Sequence, residues 1–263
     1  MQAFAYGSGG LGFIFLMTCL GSATVVFFRK AAPGKMQQVF LGFAAGVMIA
    51  ASIWSLLLPA IEAAEETGMP GWIPAAGGFI LGVIFLFILD RIIPHLHPFT
   101  NVQEGMSTTS KRTTLLISAV TLHNIPEGMA VGLAFALAAK NGDDPALFTA
   151  AAALALGIGI QNFPEGAAIS LPLRQEGMST GRAFLLGSLS GAVEPVFGFI
   201  AILLALWIAP LMPWLLSFAA GAMIYVTVEE LIPEANMGEH SHAGTMGVMA
   251  GFLIMMILDV ALG

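Results

Sequence analysis

The chain has 263 residues, of which 57% are hydrophobic and 10% charged, with a mean hydropathy of +0.89. Soluble domains carry about a quarter charged residues, so this composition excludes a water-exposed globular domain and makes lipid the main solvent. A net charge of −7 with nine Lys plus Arg and no basic patch excludes a nucleic-acid partner, and the lone Cys19 can form neither an internal disulfide nor a thiolate cage.

A helix needs roughly 20 apolar residues to cross the hydrocarbon core. In chain order the sequence offers eight such stretches, near 6–28, 39–61, 71–93, 113–139, 146–172, 182–208, 212–235 and 244–262, punctuated by Gly, Pro and charges. The expected fold is therefore an all-α integral membrane protein of eight transmembrane helices, a single transporter-like domain over 1–263. The first stretch is expected to stay as a span and not to be cleaved, because no basic residue precedes it and Arg29 and Lys30 follow it.

The charges orient these spans. Arg29, Lys30, Lys35, Arg91, Lys111, Arg112, Arg174 and Arg182 fall in the first, third and fifth loops, on one face, and Lys140 alone falls on the other. Positive loops stay in the cytoplasm, so both termini are expected outside a plasma membrane, the compact chain suiting a bacterial inner membrane. The outer face then carries Glu62, Glu65, Glu66, Asp143 and Asp144, either a cation-concentrating rim or an ordinary solvated loop surface.

Internal repeats are visible. LGFAAGVMI at 41–49 matches LSFAAGAMI at 216–224 in seven of nine positions, and GVIFLFILD ending at Asp90 echoes GFLIMMILD ending at Asp259. Span 2 thus pairs with span 7 and span 3 with span 8. An odd offset of five spans means the copies cross in opposite directions, so spans 1–3 and 6–8 are expected to form an inverted repeat around the central pair 4–5, the plan of many secondary transporters. The central pair carries its own repeat: HNIPEGMAVG from His123 to Gly132 and QNFPEGAAIS from Gln161 to Ser170.

Residues four apart share a helix face, so His123 stands over Glu127 and Gln161 over Glu165, with Asn124 and Asn162 about a quarter-turn away. Pro126 and Pro164 lack an N–H and release the carbonyls of Leu122 and Ile160, which at membrane depth need a cavity or another partner. Glu127, Glu165, Glu194, Glu229 and Glu230 all fall inside spans. An acidic group at the bilayer centre costs ~2.5–3.5 kcal/mol, so protonation, water or a cation must offset them, or a purely structural pairing of polar groups must.

The residue types favour a cation. Imidazole plus carboxylate suits zinc and its first-row neighbours, whereas an all-oxygen cage would suit magnesium or calcium. Met48 is either a thioether ligand or helix packing. His95, His97, His240 and His242 lie in loops of the expected cytoplasmic face, either solvated or placed to receive a metal. A proton-coupled carrier of a small solute using the same glutamates is the main rival reading. An intramembrane hydrolase is disfavoured, because neither HExxH nor Gly-x-Ser-x-Gly occurs, and no enzyme activity is expected. A channel-like pore for the same metals also stays open.

With HNIPEG in span 4, QNFPEG in span 5, GAVEP in span 6 and EELIPE in span 7, the chain resembles the ZIP (Zrt/Irt-like protein) family of divalent metal transporters over essentially its whole length. The resemblance implies a two-metal site. One metal would use His123, Glu127, Gln161 and Glu165 with Met48 as a further ligand, and the other Asn124, Glu127, Asn162, Glu165 and Glu194, with Glu127 and Glu165 bridging. Glu230 in EELIPE joins this candidate metal set. The resemblance also implies uptake into the cytoplasm by alternating access, spans 1, 4, 5 and 6 moving against spans 2, 3, 7 and 8. Gln161, Asn162 and Glu229 depart from residues common in relatives, so selectivity among Zn2+, Fe2+, Mn2+, Co2+ and Cd2+ stays open with zinc first. The metal is cargo; no cofactor is expected. The partners are metal and bilayer, with a homodimer open.

Overall fold

The computed structural model describes residues 2–27, 34–93, 95–96, 103–104, 112–141, 144–175, 177–207, 209–236 and 242–262. Chains immersed in lipid must satisfy their backbone polar groups internally, and nearly all the described backbone is helical. The long helices are α1 (Gln2–Ala23), α2 (Gly34–Glu65), α3 (Trp72–Ile92), α4 (Arg112–Lys140), α5 (Pro145–Gln175), α6 (Thr180–Ser190 and Val193–Trp207, joined through Gly191 and Ala192), α7 (Met212–Ala235) and α8 (Ala243–Leu262). Among the described residues a short ladder joins β1 (His95–Leu96) to β2 (Gln103–Glu104), antiparallel, with His95 opposite Glu104.

Among the described residues seven helices, all but α4, are long and apolar enough to cross a membrane. This makes the chain an all-α, multi-pass membrane protein. In α4 the apolar run is interrupted by His123, Asn124, Pro126 and Glu127. The packing explains how α4 tolerates them: every residue from 124 to 138 is buried, so α4 is the central helix and its neighbours, not lipid, surround the motif. By contrast α3 and α8 expose Leu81, Phe87, Leu253 and Ile257, the lipid-facing sides expected of outer helices.

The tightest helix pairs are α1 with α5, α4 with α6, α2 with α8 and α3 with α7; α1 also touches α4 and α6, α2 meets α7, and these pairs are joined through α4 on α7 and through α5 on α8 and α2. Without a hydrophobic force between helices in lipid, close approach through small residues holds such pairs. A Cβ at Gly46 of α2 would stand 2.1 Å from the Val248 carbonyl oxygen of α8, and one at Gly221 of α7 would stand 2.1 Å from that of Phe79 in α3.

Both α2 and α7 widen into a π turn, at Ser52–Leu57 and Thr227–Leu231, just before Pro59 and Pro233. A proline withholds the N–H that would bond one turn back, and a π bulge there absorbs the unmatched backbone. At the start of each π turn a hydroxyl bonds back along its own helix, Ser52 Oγ to the Met48 carbonyl and Thr227 Oγ1 to the Met223 carbonyl, both at 2.7 Å. These positions correspond when LGFAAGVMI is laid on LSFAAGAMI. Between α2 and α3 the chain turns at Gly68, with φ of 79°, while the Met69 N–H bonds the Ala64 carbonyl at 3.1 Å. This is a left-handed helix end for which glycine is the unstrained residue.

Asp259 of α8 is buried, and its Oδ1 accepts a 2.6 Å hydrogen bond from Ser55 Oγ in the π turn of α2. A hydrogen bond to a buried carboxylate contributes about 1.5–3 kcal/mol. Ser55→Ala is therefore expected to lower the thermal midpoint of the detergent-solubilised protein by several degrees. An unchanged midpoint would show that the α2–α8 contact does not depend on this bond.

Candidate metal site

The twin motifs lie at matching heights on α4 and α5, and α6 brings Glu194 to them. The close approach of α4 and α6 requires Gly128, where a Cβ would stand 2.2 Å from the Glu194 carbonyl oxygen and 2.6 Å from its Cα. Glu127, next to this notch, and Glu194, on the facing backbone, are both 0% exposed. The charge of Glu165 acts on both, and that of Glu194 acts on Glu127. Three acidic side chains from three helices therefore share one low-dielectric region, with Glu165 half-buried at its side. At short range in such a medium like charges repel by several kcal/mol.

Amides interleave these carboxylates. Gln161 Nε2 donates to Glu127 Oε1. Asn162 Nδ2 donates to Glu194 Oε2 at 2.9 Å and also lies 3.4 Å from the Ile14 carbonyl. Asn124 Nδ2 donates to the Ser190 carbonyl at 3.2 Å. Thr18 Oγ1 of α1 lies 3.4 Å from Glu194 Oε1. The donors recorded to Glu127 and Glu194 are thus all neutral. With their hydrogens committed, the amides leave oxygens behind. Among the described residues, Asn124 Oδ1, Glu127 Oε2, Gln161 Oε1 and Asn162 Oδ1 are buried with no hydrogen-bond donor.

Buried polar atoms are paired in the great majority of cases, so four unpartnered acceptor oxygens on two adjacent motifs form an electron-rich cluster, the kind of donor set that a cation would need. Among the described residues no group of three or more His, Cys, Asp and Glu is drawn together for a metal ion, because amides stand between the carboxylates. His123 lies on α4 one turn before Glu127, and its imidazole falls outside the described side chains.

The remaining candidates lie apart. Met48 is fully buried on α2, and its sulphur is 3.7 Å from Thr227 Oγ1 of α7; its recorded polar neighbour is that hydroxyl. Glu230 is buried in the π turn of α7 and Glu229 is exposed there. Both lie within electrostatic range of Tyr225 one turn earlier on the same helix, whose hydroxyl lies 3.4 Å from Asp90 Oδ2 of α3. His97 and His240 lie outside the described residues, His95 is placed only by its backbone in β1, and His242 is exposed just before α8. Thr18, the Ile14 carbonyl and the Ser190 carbonyl were not singled out from the sequence. A threonine within an apolar span carries no local signal of what it touches.

An all-helical membrane chain whose central helices bury carboxylate and amide oxygens belongs to the class of membrane transporters for cations. The ZIP zinc transporter family model matches residues 100–259. Across 97% of this chain and 96% of its own length, the zinc transporter ZIP11 of Homo sapiens is 37% identical. The zinc transporter GufA of Myxococcus xanthus is 37% identical over 87% of this chain and 88% of its own. The zinc transporter ZIPB of Bordetella bronchiseptica is 39% identical over 95% of this chain and 79% of its own. The chain belongs to the ZIP zinc transporter family.

Proposed function

We propose that this protein takes up divalent transition-metal cations, zinc first, across the membrane into the cytoplasm, through a site between α4, α5 and α6. The observation that carries the reading is the set of buried acceptor oxygens without donors on Asn124, Glu127, Gln161 and Asn162, beside the carboxylates of Glu165 and Glu194. With His123 one turn before Glu127 on α4, the site would mix nitrogen and oxygen donors of the kind that suits zinc and its neighbours. Met48 and Glu230 serve the metal as it approaches or leaves this centre. The chain acts as a transporter, and no catalytic role is assigned to its residues.

For alternating access, the tightest helix pairs all fall within α1, α4, α5 and α6 or within α2, α3, α7 and α8, and the two sets meet through α4 on α7 and through α5 on α8 and α2, the surfaces that would have to slide. An inverted repeat of spans 1–3 and 6–8, with eight spans in all, is supported by two observations. α2 and α7 carry corresponding π turns and back-bonded hydroxyls, and they pack on α8 and α3 through Gly46 and Gly221. A site between inverted halves at mid-membrane is the usual arrangement of secondary transporters. We place both termini outside, from the bias of basic residues to three loops.

Uptake of radioactive zinc into proteoliposomes, with and without Fe2+, Mn2+, Co2+, Cd2+ and Mg2+ as competitors, tests this function. Saturable uptake inhibited by cadmium and cobalt and little affected by magnesium is the expected result. Substrate-dependent proton flux with no divalent ion present, and no zinc accumulation, would instead establish the proton-coupled carrier of a small solute.

A further inference from the structure

Helix α1 carries none of the twin-motif residues, yet it reaches the metal-site cluster. Thr18 is 1% exposed, and its hydroxyl lies 3.3 Å from the Ile14 carbonyl and 3.4 Å from Glu194 Oε1. Two glycines wedge it in place. A Cβ at Gly191 of α6 would come within 2.9 Å of Thr18 Cβ and Oγ1, and a Cβ at Gly166 of α5 would stand 2.1 Å from the Thr18 carbonyl oxygen. Any side chain at Gly191 or Gly166 would collide with Thr18, so these glycines are what lets α1, α5 and α6 close on it as a three-helix seam.

The seam holds both oxygens of one carboxylate. Asn162 Nδ2 lies 2.9 Å from Glu194 Oε2 and Thr18 Oγ1 3.4 Å from Glu194 Oε1, while both donors also share the Ile14 carbonyl, at 3.4 and 3.3 Å. The donor inventory makes the two ends unequal. An amide nitrogen has two hydrogens and can serve both acceptors at once, whereas a hydroxyl has one and must choose between the Ile14 carbonyl and Glu194. When the Thr18 hydrogen goes to Glu194, Thr18 and Asn162 together fix both oxygens of the carboxylate, and its remaining lone pairs stay open to a cation.

We propose that Thr18 is a positioning residue for metal binding: it orients the Glu194 carboxylate beside Glu127 and Glu165 and so sets how tightly the Glu194 side of the site holds zinc. This rests on the metal-site reading above. Valine matches threonine in shape and removes only the donor. In equilibrium dialysis of the purified full chain with zinc, Thr18→Val is expected to weaken binding about three- to tenfold, the scale for losing one ordinary hydrogen bond, since at 3.4 Å this one is long for a bond to a carboxylate. In proteoliposomes the zinc concentration for half-maximal uptake should rise by a similar factor while the maximal rate stays within about twofold, the pattern of altered binding and not of an altered slow step.

Thr18→Ser, which restores the hydroxyl, should return both readings to those of the original chain. In a Glu194→Ala background Thr18→Val should add nothing, because the coupling of two groups vanishes when one is removed. Where Thr18→Val does not purify as a monodisperse species, Thr18→Ala against Thr18→Ser makes the same comparison. Unchanged zinc binding by Thr18→Val, failure of Thr18→Ser to rescue, or an equal loss in the Glu194→Ala background would each overturn the proposal alone. Zinc binding by Glu194→Ala as tight as in the original chain would overturn the metal-site reading at Glu194, and the proposal with it.

Discussion

Glu127→Gln is expected to abolish zinc uptake while leaving the protein folded and at least as heat-stable as before. The substitution keeps the side chain's volume and leaves Oε1 as an acceptor for Gln161, so the hydrogen bond between α4 and α5 survives. What disappears is the one ionisable group of a fully buried side chain beside Glu165 and Glu194. A neutral amide there has no charge to desolvate, hence the retained stability, but it also cannot supply the negative charge that a divalent ion would need from this position. Changing mere outer partners of metal ligands costs about 10–100-fold in affinity, so loss of a direct carboxylate ligand should reduce uptake by about 100-fold or more. Glu165→Gln should behave alike, since Glu165 acts on both other carboxylates. Radioactive zinc uptake in proteoliposomes, paired with a thermal melt in detergent, separates the two effects. Uptake at the original rate by either variant would remove the carboxylate pair from the mechanism.

Gly128→Val should be the most disruptive single change in the site that leaves every candidate ligand in place. A Cβ there would stand 2.2 Å from the Glu194 carbonyl oxygen and 2.6 Å from its Cα. Both are backbone atoms, which cannot rotate out of the way as a side chain could. Helices α4 and α6 would have to part at the level where Glu127 and Glu194 face the same cluster. Overpacking a well-packed interior costs about 1–3 kcal/mol, and an ångström of misplacement in a binding constellation can cost about 100-fold in function. The expected outcome is a melting midpoint lowered by several degrees with uptake near background. Gly12→Ala is the matched control: nothing lies within 4 Å of a Cβ there, so its stability and uptake should match the original chain. Equal behaviour of the two variants would mean that α4 and α6 do not need this contact.

Both expectations combine something readable along the chain with something that is not. The membrane class and helix content follow from composition and run length, because the hydrocarbon core imposes a fixed span on any helix that crosses it. The motifs HNIPEG and QNFPEG were legible for a local reason: residues four apart share a face in any α-helix, so His123 with Glu127 and Gln161 with Glu165 are paired by spacing alone. The correspondence of LGFAAGVMI and LSFAAGAMI likewise lies in the order of residues, before any packing is considered. Helix α4 shows the limit. By hydropathy it is the weakest of the long helices, and only its burial from 124 to 138 reveals it as the centre of the bundle.

Spacing could not tell which carboxylate meets which amide, since α4, α5 and α6 come together through contacts between residues far apart in the chain. It paired Gln161 with Glu165, one turn away, whereas the recorded hydrogen bond of Gln161 runs to Glu127 on the neighbouring helix. The Asn162–Glu194 bond, the arrival of Thr18 from α1, and the approach of Tyr225 on α7 to Asp90 on α3 are of the same kind. Local order along a helix is dictated by its regular geometry, so the sequence by itself determined the helical membrane class, the twin motifs and the residues that share a helix face. Contacts across helices depend on how closely their backbones approach, which notches such as Gly128, Gly166 and Gly191 permit. Only the tertiary structure decided which buried oxygens are left to attract a cation.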